Sequence, residues 1–140
     1  MSTSARNQFN AIIRTLNDGA VNSEVILDIG AEQSLVAIIT QASRKSHDLK
    51  VGQTCTALIK ASSVILSSDT KITTSARNKL VGTISTIETG AVNSDITLDI
   101  GGGLRVSAVV TNASTQALGL AVGNSACALF KAPSVILMVS

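Results

Sequence analysis

Aromatic side chains are almost missing from this chain of 140 residues: there is no Trp and no Tyr, and only Phe9 and Phe130. Proteins that hold single-stranded nucleic acid stack bases on aromatic rings, so that mode of binding is not expected. Charge is scarce too, with 11 basic and 9 acidic residues leaving a formal net charge of +2. Duplex binding rests on clustered Lys and Arg, and this balance is too mild for it. No apolar run approaches the roughly 18 residues of a membrane helix, and the N-terminus lacks a signal-peptide core. A hydrophobic content of 45% speaks against disorder. The expectation is a soluble, cytoplasmic globular protein built on Val, Ile, Leu and Ala, with neither nucleic-acid nor membrane partner.

Chemistry-bearing residues are equally sparse. The single histidine, His47, corresponds to Leu118 in the repeat described below, so it cannot belong to a duplicated site and reads as a structural residue at a helix end. No Ser/His/Asp or Cys/His set can be built twice, no His/Cys spacing suggests zinc, and there is no Walker sequence, so no enzyme activity and no metal-cation site are expected. Cys55 and Cys127 occupy different repeat positions and read as free thiols packed as small apolar groups in a reducing compartment. Asp28 and Asp99 lack the closely spaced oxygen ligands of a calcium loop and read as solvated strand residues.

What is present is a duplication. Ser4-Ala5-Arg6-Asn7 returns 71 positions later as Ser75-Ala76-Arg77-Asn78, and Gly19-Ala20-Val21-Asn22-Ser23 returns as Gly90-Ala91-Val92-Asn93-Ser94. Leu27-Asp28-Ile29-Gly30 and Ser63-Val64-Ile65-Leu66 recur in the same register, with about half the positions identical and no insertion. The organisation read from this is a first domain at 1–67, a short polar linker at 68–73 and a second domain at 74–140.

Each repeat reads as a small β-fold. Val25, Leu27 and Ile29 alternate with Glu24, Ile26 and Asp28, and Ile96, Leu98 and Ile100 do the same with Asp95, Thr97 and Asp99. A period of two with one apolar side marks a half-buried strand. Leu35, Ala37 and Ile39 continue the pattern, matched by Val106, Ala108 and Val110. A first strand is expected over Phe9–Leu16, and two further β segments at Cys55–Lys60 and Ser63–Leu66 are expected to close the same repeat. A helix is expected within Thr40–Leu49, with Thr40 as its N-cap. Gly30, Gly52, Gly101 and Gly123 mark turns. Five strands with one helix after the third is the order of an oligonucleotide/oligosaccharide-binding (OB) barrel, so the fold class is all-β: two tandem OB-like five-stranded antiparallel barrels, each with one short helix. A barrel this small and poor in aromatics has a thin core, which predicts pairing of the two barrels and association into a homo-oligomer.

The repeated polar residues are mostly donors. Arg6 and Lys60, with Arg77 and Lys131, are the basic residues found at matching positions, whereas Arg14, Arg44, Lys45 and Lys50 meet Ser85, Thr115, Gln116 and Ala121. Thr40 and Ser43, and equally Thr111 and Ser114, bring hydroxyls and free amides to a helix start. A set that only donates suits a tetrahedral dianion that stays deprotonated at neutral pH; phosphate, partly protonated there, would prefer an acceptor nearby. Charge-assisted bonds contribute roughly 1.5–3 kcal/mol each, against several kcal/mol to desolvate a buried ion. Several donors must therefore converge, which points to an interface between barrels.

Ser-Ala-Arg-Asn, Gly-Ala-Val-Asn-Ser-Glu/Asp, Leu-Asp-Ile-Gly, Thr-x-x-Ser and Lys-Ala-x-x-Val-Ile-Leu, in this order and twice over, resemble the Mop domain of molbindins, and the whole chain resembles a tandem (di-Mop) molbindin. The resemblance implies molybdate and tungstate binding at interfaces between Mop domains, a cytoplasmic role in molybdenum storage and homeostasis, a homotrimer, and no organic cofactor. It also implies the sites. One half-site would be Ser4, Arg6, Lys60 and the backbone of Ala61, facing Thr111 and Ser114 or Thr40 and Ser43 of a neighbour. The other would use Ser75, Arg77, Lys131 and the backbone of Ala132. Asn22, Ser23, Asn93 and Ser94 are candidates for a further oxyanion site near a symmetry axis, with turn formation as the competing reading. Pro133 replaces Ser62 and has no N–H, so the two site classes are expected to differ. No helix-turn-helix or nucleotide-binding segment is seen, so neither regulatory nor transport activity is expected. The alternatives are a passive oligomerisation module and a general, sulfate-like oxyanion binder.

Overall fold

The computed structural model describes residues 3–139 as two five-stranded antiparallel sheets. The first repeat supplies β1 (Asn7–Asp18), β2 (Asn22–Gly30), β3 (Gln33–Thr40), α1 (Gln41–Ser46), β4 (Thr54–Ile59) and β5 (Ile65–Ser67). The second supplies β6 (Asn78–Thr89), β7 (Asn93–Gly101), β8 (Leu104–Thr111), α2 (Asn112–Ala117), β9 (Ser125–Phe130) and β10 (Ile136–Met138). One 3-10 turn, Ala61–Ser63 or Ala132–Ser134, separates the last two strands of each repeat. The alternation read in the sequence has a direct physical counterpart: Asn7, Phe9, Ala11 and Ile13 of β1 point inward, as do Val25, Leu27 and Ile29 of β2.

One expected boundary shifts. β1 extends beyond Phe9–Leu16 because its ends pair with β4 and β2, from Asn7↔Ile59 to Asp18↔Ser23. The helix falls within Thr40–Leu49 as expected, over Gln41–Ser46. Thr40 is extended and caps it, its hydroxyl accepting from the Ser43 N–H at 3.1 Å, while Asp48 takes a left-handed φ of 48° that ends the helical path.

The closing strands correct an expectation. Ser63–Leu66 does not complete its own repeat. The sheet orders are β10-β4-β1-β2-β3 and β5-β9-β6-β7-β8, so each repeat gives its last strand to the other. Ile65, Leu66 and Ser67 pair with Leu129, Ala128 and Cys127, while Ile136, Leu137 and Met138 pair with Leu58, Ala57 and Thr56. The physical reason lies in the duplication: Ser-Val-Ile-Leu is the same in both repeats, so either strand satisfies either edge. The preceding 3-10 turn carries it across, Ala61–Ser63 packing on β8 and Ala132–Ser134 on β3.

The exchange merges the two interiors into one hydrophobic cluster. The two phenylalanines are divided between the barrels. Phe9 shares its barrel with Ile59; the equivalent positions hold Leu80 and Phe130, so each barrel buries one ring and one aliphatic side chain. A second link is polar. The buried Asn7 donates to the Ser107 carbonyl at 2.9 Å and accepts the Ser107 N–H at 2.7 Å; Asn78 makes the same pair with Val36, both bonds at 2.8 Å. Each amide thus acts as one rung of a ladder on the other repeat's third strand.

Candidate functional site

The clamp fixes where the neighbouring arginine goes. Because Asn7 sits on β8, the Arg6 guanidinium lies over the second repeat and pairs with Asp95; Arg77 lies over the first and pairs with Glu24 at 3.0 Å. Residues 24 and 95 occupy one repeat position, so the arrangement has approximate two-fold symmetry. Arg77 holds the Glu24 carboxyl below the ordinary glutamate range, chiefly by its hydrogen bond, with help from Asn17. About half of each arginine side chain remains exposed.

The ladder sets where the first donor set starts. Asn7↔Ile59 is the last rung between β1 and β4, so Arg6 and Lys60 leave the sheet at the same end, and Ala61, next along the chain, is buried. Asn78↔Phe130 does the same for Arg77 and Lys131, and Ala132 is likewise buried. Ser75 and Lys131 line one cavity of about 590 Å³. Ser4 is exposed ahead of β1.

The hydroxyl pairs lie elsewhere. Thr40 Oγ1 donates to Ser43 Oγ at 3.0 Å and Thr111 Oγ1 to Ser114 Oγ at 2.9 Å, with the amides of Ser43 and Ser114 returning to the threonines. Thr40 and Ser43 share a cavity of about 440 Å³ with Asn22, His47 and Pro133. Thr111 and Ser114 face Val64, Ile65 and Leu66 of the exchanged strand. Neither cavity holds Arg6, Lys60, Arg77 or Lys131. The cavity of Thr111 and Ser114 nevertheless adjoins that of Ser75 and Lys131, the two sharing Ile65, Leu66 and Leu118.

Asn22 and Asn93 are exposed and close tight turns, their carbonyls accepting from Gly19 and Gly90 at 2.8 Å. Ser23 and Ser94 are buried and their hydroxyls are already donated, to Asp18 Oδ1 and to Asn112 Oδ1. His47 is the C-cap of α1, its Nδ1 2.9 Å from the Ser43 carbonyl, and it borders the Thr40–Ser43 cavity. Both cysteines are free and buried, and burial pushes their thiols up. Asp28 and Asp99 are more than solvated strand residues: each accepts the N–H of the glycine two residues on, at 2.9 Å, and pins its hairpin.

Sequence reasoning missed two features. Asn7 and Asn78 were visible as the inward end of an alternating strand, where an amide needs partners. The carboxylates facing the arginines carried a signal as plain as that of the cations, since 24 and 95 are acidic in both repeats.

A model of the TOBE domain matches residues 3–66 and again 74–137. The chain belongs to the TOBE-domain family. It is a tandem of two Mop repeats. It is 43% identical, with a TM-score of 0.96 and complete coverage of both chains, to a solved structure of the cytoplasmic molybdate-binding protein ModG with molybdate bound. It is 45% identical over 139 residues to the molybdenum transport protein ModE of Azotobacter vinelandii and 43% identical over 138 residues to the molybdenum-pterin-binding protein MopA of Rhodobacter capsulatus. These alignments take in 99% and 98% of this chain, which spans about half the length of the curated relatives it matches. Among the described residues no helix is long and apolar enough to cross a membrane, and no group of three or more His, Cys, Asp or Glu gathers around a common point.

Proposed function

We propose that this tandem Mop chain binds molybdate, and tungstate with it, in seams between Mop repeats of neighbouring chains, in the cytoplasm, for storage and homeostasis of molybdenum. The observation that carries the reading is the duplicated set of cations and hydroxyls, in which each arginine is oriented by a carboxylate of the other repeat, Asp95 or Glu24, where the sequence led us to expect donors alone. Ser4, Arg6, Lys60 and the amide of Ala61 form one open half-site, and Ser75, Arg77, Lys131 and the amide of Ala132 form the other. Thr40 with Ser43, and Thr111 with Ser114, are the hydroxyl pairs that a neighbouring chain brings to them. Likeness over the full chain to a protein solved with molybdate supports the choice of ligand.

In this reading the guanidinium offers five N–H groups, of which the carboxylate of the other repeat occupies only part, so it arrives oriented with donors to spare. Lys60 or Lys131 adds a second positive charge and the threonine–serine pair of a neighbouring chain closes the shell. A fully deprotonated tetrahedral dianion can accept from each of these donors. The neighbour's approach has support in the surface, where Val21 and Val92, Val51 and Val122, and Ile65 and Ile136 are apolar residues exposed at matching positions of both repeats. Such a surface fits a homotrimer.

Equilibrium dialysis of molybdate, sulfate and phosphate against the purified chain tests the ligand. Preferential retention of molybdate is expected. Equal retention of all three leaves a general oxyanion binder, and no retention leaves a passive assembly module. Sedimentation should show a trimer at micromolar concentration; a stable monomer contradicts the assembly.

A further inference from the structure

The two arginine settings differ at one repeat position. Across β1 and β2, Asn17 stands opposite Glu24 and donates its amide to Glu24 Oε1 at 3.3 Å, so the carboxylate that pairs Arg77 has a neutral neighbour. Across β6 and β7 the equivalent residue is Glu88, opposite Asp95. Where Asn17 offers an amide donor, Glu88 brings a second carboxyl group. Asp95 Oδ1, the oxygen left over from the Arg6 pair, is buried and accepts no hydrogen bond among the described residues. Arg6, Glu88 and Asp95 line the same two surface clefts, one with Asn93 and one with Thr97 and Ser107. Arg6 is thus set among two carboxylates, whereas Arg77 has one carboxylate and an amide. Directly opposed like charges on a ladder repel, and the added negative charge lowers the potential that a second anion meets at the guanidinium.

We infer that position 17/88 is a tuning position for the two classes of anion seam: Glu88 weakens the seams that use Arg6 by acting through that arginine, and Asn17 leaves the seams that use Arg77 strong. The inference rests on the proposed oxyanion function. A unit charge about 8 Å from a bound dianion, roughly the reach of an arginine side chain, is worth about 1 kcal/mol in a water-like dielectric, or roughly fivefold in affinity.

The test is equilibrium dialysis of molybdate on the full chain. In an Arg77→Ala background, which isolates the Arg6 seams, Glu88→Asn is expected to tighten binding about fivefold, while Glu88→Asp, which keeps the charge, leaves it unchanged. In an Arg6→Ala background, Asn17→Glu is expected to weaken the Arg77 seams by a similar factor. If an alanine background fails to fold, Arg77→Gln and Arg6→Gln replace it. Affinity unmoved by Glu88→Asn, or Glu88→Asp acting like Glu88→Asn, overturns the tuning role while leaving ion binding by the wild-type chain intact. A wild-type chain that retains no molybdate overturns the proposed function as well, and is recognised without any variant.

Discussion

The first and second repeats differ in about half their residues yet build the same barrel, and the positions where they agree sort by physical need. The asparagine clamp, the capping threonine with its serine, the hairpin aspartate and the arginine–carboxylate pair are held in both repeats. The core is not: Phe9 with Ile59 in one barrel becomes Leu80 with Phe130 in the other. Interiors accept volume-conserving exchange, whereas a buried amide that mimics a ladder rung has no substitute. Exposed positions have drifted as well, as Asn17 against Glu88, His47 against Leu118 and Ser62 against Pro133 show. The shared features build the frame, and the proposed difference between the two seams rests on the drift within it.

The strongest way to break the comparison is to remove a clamp. Asn7→Ala and Asn78→Ala each strand a buried backbone N–H and C=O, and each is expected to lose about 3 kcal/mol in urea unfolding. Near-equal losses mark the clamps as equivalent. A somewhat smaller loss is expected from Gly102→Ala. Gly102 has a φ of +62°, and an added Cβ there would come within 2.4 Å of the Ala31 Cβ, the same hairpin tip of the first repeat. Left-handed backbone and crowding together cost about 2 kcal/mol. Adding Ala31→Gly should recover the part due to crowding, read as a shift in the thermal midpoint.

Smaller effects sharpen the contrast. Pro133→Ser restores an N–H beside Ala132 and is expected to tighten the Arg77-dependent seams by about fivefold, one hydrogen bond's worth; Ser62→Pro should do the reverse in the Arg6-dependent seams. Both are read by dialysis of molybdate. The smallest effect concerns Glu24. Its carboxyl is held low by Arg77, so the ion pair contributes fully above the ordinary glutamate range and fades as the pH falls through and below it. The stability difference between the wild-type chain and Glu24→Gln should therefore shrink on acidification and stay flat from neutral pH upward.

Much of this was legible in the sequence because periodicity and duplication reinforce each other. Val25, Leu27 and Ile29 name the inward face of β2 without help, and Thr40 names its helix start. The exchange of β5 and β10 was not legible, because Val64-Ile65-Leu66 and Val135-Ile136-Leu137 carry identical ladder chemistry and no local signal states which edge they meet. The donors at Arg6, Lys60, Arg77 and Lys131 stood out by matching across the repeats. Their carboxylate partners, matched as well, were hidden because the contact runs between repeats and depends on where Asn7 and Asn78 anchor.

The central claim is that each repeat supplies its own cationic half of a molybdate seam. It is tested most directly by counting ions bound per chain of known mass in the wild-type protein, Arg6→Ala and Arg77→Ala. Each substitution is predicted to abolish a distinct subset of sites and leave the remainder. An unchanged count in both variants would contradict the account.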